Sequence, residues 1–197
     1  MRFFLILALA GALWAQEIKR PSADANTSSS AICTTGSNIA NTTPMPFAYD
    51  AGTPPTASQS SLSMRSAASP GNTRWTGRVF TSWAAATATY TALSININFA
   101  CADSSAGNGA CGAEYSTNSG SSWTSLASVG DGTGQTTYSA ALSSSQNLTT
   151  VQVRVCAAST YDSINGVPTT GTIAVWDMWT SGTLTAAAVP KHRARSY

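Results

Sequence analysis

The chain has 197 residues, a length suited to one domain, and only 9% of them are charged, against about 25% in an average soluble protein. The formal charge of +2 sits at the ends. Between residues 21 and 190, four cations (Arg65, Arg74, Arg78, Arg154) face seven anions (Asp24, Asp50, Asp103, Glu114, Asp131, Asp162, Asp177), a net −3 that excludes nucleic-acid binding through a basic patch.

Arg2 precedes an unbroken apolar run from Phe3 to Ala15, closed by small residues. That is the layout of a secretory signal peptide over residues 1–15. The run is short for a bilayer span, which needs roughly 20 residues. Cleavage after Ala15 leaves Gln16 first; cleavage after Ala12 fits the small-x-small rule better, through Ala10 and Ala12. No second long apolar segment follows, so the mature chain is expected to lack a membrane span and to be secreted or held at the cell surface.

Residues 16–45 are rich in Ser, Thr, Ala and Asn and read as an arm or linker, unless Cys33 tethers them. From Pro44 onward, short apolar runs are broken by Gly, Asn, Ser and Pro, the rhythm of strands and turns. Residues 75–83 are a strand candidate. Residues 93–99 alternate strictly, with Leu93, Ile95, Ile97 and Phe99 apolar and Ser94, Asn96 and Asn98 polar, as a half-buried strand should. Further candidates are 111–116, 123–127 and 136–142. Val151, Val153 and Val155 alternate with Gln152 and Arg154. Residues 172–179 are apolar on both faces and read as a central strand, or one with a functional outer face. No helical period is sustained after residue 16, and residues 185–197 form a basic tail.

Cys33, Cys101, Cys111 and Cys156 make an even count behind a leader, which reads as two disulfides with three possible connectivities. Cys101 and Cys111 bracket a loop and would clamp its neck, leaving Cys33 to pin the arm to Cys156. The alternative joins Cys33 to Cys101 and Cys111 to Cys156. Zinc is not expected, because no Cys-x-x-Cys pair exists and the single His, His192, lies in the tail.

Tyr115-Ser116-Thr117-Asn118-Ser119-Gly120-Ser121-Ser122-Trp123 looks like the Asp-box of secreted β-proteins, Ser-x-Asp-x-Gly-x-x-Trp, with Asn118 in the Asp place. One such box, without an arginine cluster, reads as a structural hairpin. Asp50-Ala51-Gly52, Trp75-Thr76-Gly77, the 93–99 strand, Glu114-Tyr115-Ser116, Trp123, the 151–155 strand and Val175-Trp176-Asp177-Met178-Trp179 follow one another in an order that resembles the galactose-binding-like jelly-roll modules of secreted bacterial proteins. The resemblance covers about residues 46–184 and implies an antiparallel jelly-roll-like β-sandwich, an all-β fold. In that family the loop matching Asp50, Gly52 and Thr56 often holds calcium. Here Pro54-Pro55 replaces the usual second acidic or amide ligand, so no metal or other cofactor is expected.

If Ala174, Trp176 and Met178 point into the core, then Val175, Asp177 and Trp179 line the other face, and Arg154 also points away from its valines. Trp179, Asp177 and Arg154 are therefore the candidate ligand-binding residues: an indole to stack on a sugar ring, and charges to hold hydroxyls. The competing arrangement covers Trp179 with a loop and pairs Arg154 with Glu114 or Asp177 across strands. Catalytic groups are sparse, with no histidine in the body and no Gly-x-Ser-x-Gly turn. Glu114 and Asp177 are the one conceivable carboxylate pair. The expectation is a non-catalytic binding module for polysaccharide or cell-surface glycan, with a self-associating structural or adhesive protein as the alternative.

Overall fold

Alternation of apolar with polar residues accounts for the clearest strands, those through 60–65, 93–99 and 152–155. The structure, a computed structural model, describes residues 16–34, 36–42, 44–45, 60–70, 72–83, 89–104, 109–142 and 145–184. The leader, the Asp50 loop with its calcium question, and the basic tail lie outside the described residues.

Twelve strands run in chain order, and no helix occurs among the described residues. They are β1 (Gln16–Lys19), β2 (Pro21–Asn26), β3 (Ser37–Asn38), β4 (Ser60–Arg65), β5 (Thr73–Trp83), β6 (Thr89–Asp103), β7 (Gly109–Ser116), β8 (Thr124–Gly130), β9 (Thr133–Ala141), β10 (Gln146–Asn147), β11 (Gln152–Thr160) and β12 (Thr170–Leu184). In the first sheet β4 and β1 lie end to end along one side of β12, β6 pairs its other side, and β9 and β10 follow β6. The second sheet runs β2–β5–β11–β7–β8, with β3 beside β5. The orders 4-12-6-9 and 5-11-7-8, with the chain crossing between sheets at most connections and β7–β8 forming a hairpin within one, are those of a jelly roll. The fold is a two-sheet antiparallel β-sandwich.

The core lies between the sheets. Leu93, Ile95, Ile97 and Phe99 of β6, Leu62 of β4 and Ile173 of β12 meet Phe80 of β5, Val153 and Val155 of β11 and Ala113 of β7, all buried. Each large side chain contributes about 1.5–3 kcal/mol by leaving water. Strand β4 carries its own signal, because the buried Leu62 and Met64 alternate with the exposed Ser61, Ser63 and Arg65.

The sheets close tightly where β11 leaves for β12. A Cβ on Gly171 would lie 2.2 Å from the carbonyl oxygen of Ala158, and backbone there cannot yield cheaply. Gly171→Ala is expected to cost about 1–3 kcal/mol by overpacking, read as a lower midpoint in urea unfolding.

Both cysteine pairs are joined as Cys101–Cys111 and Cys33–Cys156. The second explains why the supposed arm is no linker. Residues 16–26 supply β1 and β2, one to each sheet. Residues 30–33 then lie on the outer face of the second sheet, where Cys33, Trp75, Cys156 and Ala158 form a small second core with Ile32 and Ala110 against it. Gly112 makes room, since a Cβ there would lie 2.5 Å from Ile32 Cγ2. Composition misses this segment because edge strands and a disulfide hold it through backbone and sulfur, not through a bulk of apolar side chains.

The Asn118 hairpin between β7 and β8 is built from its own side chains. Ser116 Oγ donates to Asn118 Oδ1 at 2.8 Å and accepts from Gly120 N–H at 2.9 Å, and Ser122 N–H donates to Asn118 Oδ1 at 2.9 Å. Ser119 and Gly120 take positive φ, 56° and 82°. This stable reversal delivers Trp123 to the outer face of the second sheet, where it stacks on Arg154.

Candidate functional site

The three candidate residues do not converge. Arg154 stands on β11 between the buried Val153 and Val155, so its side chain leaves the second sheet on the outside, under the arm. Its Nε donates to Glu114 Oε2 at 2.7 Å, directly across from it on β7, and its Nη1 donates to Ser29 Oγ at 3.0 Å. The guanidinium lies 4.0 Å from the Trp123 ring centroid. Glu114 also accepts from Ser30 Oγ and from the Ala31 N–H. Arg154 is thus a buried latch for the arm, and no sugar-facing group. The cross-strand pairing with Glu114 wins because two groups this deeply buried must neutralise one another.

Asp177 and Trp179 lie on β12, in the first sheet. A bulge there changes the expected faces. Val175 pairs with Phe99 and Asp177 with Asn98, so Trp176 is the extra residue. Two successive residues of the bulged strand then occupy the outer side. Val175 and Met178 both face the core and are fully buried, which corrects the strict alternation that put Val175 outside and Trp176 inside. Trp176 and Trp179 are half-buried, and neither packs against the main core.

Asp177 is not free to hold a ligand. Among the described residues, β4 pairs with the edge of β12 up to Val175 and β1 pairs with it from Thr180 onward, with the bulge between them. Arg20, the residue after β1, reaches Asp177 beside this bulge. Its Nε and Nη2 donate to the two Asp177 carboxylate oxygens at 2.8 and 2.7 Å, and the Met178 N–H donates to Oδ1 at 2.9 Å. The bidentate pair is buried and nets to zero charge. Glu114 and Asp177 are consequently held in separate ion pairs on separate sheets and cannot flank one substrate bond.

What surrounds the two indoles is a neutral polar ladder across three strands. Trp179 stands opposite Asn96 on β6, which stands opposite Ser139 on β9. One step along, Asp177 stands opposite Asn98, and Asn98 opposite Thr137. Ser139 Oγ donates to Asn96 Oδ1 at 2.7 Å, Asn96 Nδ2 to Ser181 Oγ at 3.3 Å, and Asn98 Nδ2 to Thr137 Oγ1 at 2.8 Å. Asn98 Oδ1 is shielded from water and has no hydrogen-bond partner, which leaves one unsatisfied acceptor in the ladder. The sequence marks Asn96 and Asn98 only as the wet side of a strand. Their alternate spacing is the signal that could have joined them to the site, and the pairing of β6 with β9 and β12 is what does so.

No protein-family model matches this chain, and no curated protein matches it. Among solved structures, a match is the CBM22-1–GH10 part of an endo-1,4-β-D-xylanase 10B from Clostridium thermocellum, complexed with xylohexaose. It is 13% identical, covers 66% of this chain and 27% of that one, and superimposes with a TM-score of 0.29. The chain therefore spans about a quarter of that protein's resolved length. A likeness so distant carries no argument about ligand or activity, which rests on the face itself.

Proposed function

We propose that this protein is a secreted, non-catalytic module that binds a neutral polysaccharide on the outer face formed by β12, β6 and β9. One observation carries the reading: Trp176 and Trp179 stand outside the core, beside a ladder of amides and hydroxyls. A pyranose ring offers an apolar C–H face and an equatorial rim of hydroxyls. Indoles accept the first, and side chains that both donate and accept match the second. The Arg20–Asp177 pair cancels its own charge beneath the bulge, which favours a neutral sugar over an acidic one. Two disulfides suit an oxidising, extracellular compartment.

The test is binding to a panel of soluble and insoluble neutral polysaccharides by affinity electrophoresis and pull-down. Trp179→Ala is expected to weaken binding about tenfold or more, as removal of an aromatic anchor does. Its unfolding free energy should fall by no more than about 1 kcal/mol, because the ring is outside the core. Unchanged binding in Trp176→Ala and Trp179→Ala alike, or no binding by the parent protein to any glycan, overturns the reading.

A further inference from the structure

The two long sides of the first sheet are unlike. On the β1/β4 side, Lys19 and Arg65 put charge on the edge, and the chain passes from β1 through Arg20 to Pro21. Charge and proline are the usual means by which an edge strand resists pairing. On the other side β9 reads Thr-Gly-Gln-Thr-Thr-Tyr-Ser-Ala-Ala, with no charge and no proline. Among the described residues, no strand pairs with its outer edge.

The register says which groups that edge presents. Leu142 N–H donates to Leu93 O, continuing the pairing in which Ala141 faces Ser94 and Ala140 faces Ile95. Hydrogen-bonded and non-bonded pairs alternate along an antiparallel ladder. Ala140 and Tyr138 therefore turn their backbone groups towards β6, and Thr137, Ser139 and Ala141 turn theirs outward. From Thr136 to Ala141 the pairing with β6 is regular. The outward set is symmetric about Ser139.

We propose that β9 is a homodimerisation edge, pairing antiparallel with β9 of a second copy about a twofold axis at Ser139. Thr137 then faces Ala141 of the second copy, and Ser139 faces its own equivalent. Each such pair exchanges two backbone hydrogen bonds. The occupant is a second copy because the edge is self-complementary: its outward-facing residues, Thr137, Ser139 and Ala141, are small and neutral, and the twofold sets each against another small, neutral residue. An interface of this size gives a weak, concentration-dependent dimer. It also joins two ladders. Trp179, Asn96 and Ser139 of one copy continue into Ser139, Asn96 and Trp179 of the other. At about 4.8 Å per strand, the two Trp179 rings stand about 24 Å apart on one continuous face. That consequence rests on the polysaccharide reading, whereas the dimer itself does not.

Sedimentation velocity and light scattering across a concentration series, with no glycan present, test the dimer separately. The parent protein is expected to show a dimer fraction that rises with concentration. Ala141→Lys and Ala141→Pro lie outside the binding ladder, and Ala141→Pro removes only an outward N–H. Each should weaken association more than about tenfold. Hydrogen exchange supplies a second readout, with the Ser139 amide slowing as the dimer forms. Thermal unfolding of both variants shows whether they fold. A parent protein with the mass of one chain at every concentration overturns the proposal. So does a dimer that both folded variants leave intact.

Discussion

Glu114→Gln is expected to cost about 3–5 kcal/mol of folding free energy, a large share of the roughly 5–15 kcal/mol that holds a domain together. Both partners of the Glu114–Arg154 pair are almost fully buried, at 1% and 4% exposure. Removing the carboxylate's charge leaves a buried guanidinium under the arm with no anion, only a neutral amide oxygen, the Ser29 hydroxyl and the Trp123 ring to compensate it. The arm also loses the anion that receives Ser30 Oγ and the Ala31 N–H. The double replacement Glu114→Leu with Arg154→Met removes both charges, and should recover most of the loss, because a buried ion pair contributes little over well-packed apolar side chains. Urea unfolding of the two variants measures this. A single-variant cost below about 1 kcal/mol would mean that water reaches the pair and that the arm does not seal the outer face.

The Cys33–Cys156 disulfide carries the other large effect. It closes a loop of 123 residues, and the chain-entropy argument assigns such a closure about 5 kcal/mol. Cys101–Cys111, with a separation of 10, comes to about 2.7 kcal/mol by the same argument. Cys33→Ala with Cys156→Ala should therefore destabilise more than Cys101→Ala with Cys111→Ala. It should also make residues 27–40 the first site of limited proteolysis, since the arm would be held by the Glu114 contacts and two short strands. The reverse order of stabilities would show that the arm docks without its tether. Together with the Glu114 variant, this separates the sulfur's contribution from that of the charges.

How far the sequence discloses the site follows from the reach of each interaction. The strict alternation at Leu93, Ile95, Ile97 and Phe99 predicts the buried face of β6, and all four side chains are buried. The same logic fails on β12, because a bulge adds one residue and turns Val175 inward and Trp176 outward. Trp179 keeps its predicted outward place because it lies beyond the bulge on the far side of Met178. Arg154 points out of its sheet as expected, but into a shelter made by residues well over a hundred positions earlier, Ser29 and Ser30. Asp177 meets Arg20, 157 residues away, where the end of β1 comes up to the bulge in β12.

Neutral surface chemistry, the all-β class, the paired cysteines and the hairpin at Asn118 were within reach of the sequence alone. Each depends on composition or on neighbours a few residues apart, and local stereochemistry determines the result. Which outward side chains share a face, and which of them are already paired, was decided by the tertiary structure. Those outcomes depend on strand register and on contacts between distant segments. Trp179 entered as one of three candidates scattered along the chain. The bulge turned Trp176 to its face, sheet pairing put Trp179 in one ladder with Asn96 and Ser139, and the two buried ion pairs took Arg154 and Asp177 out of play.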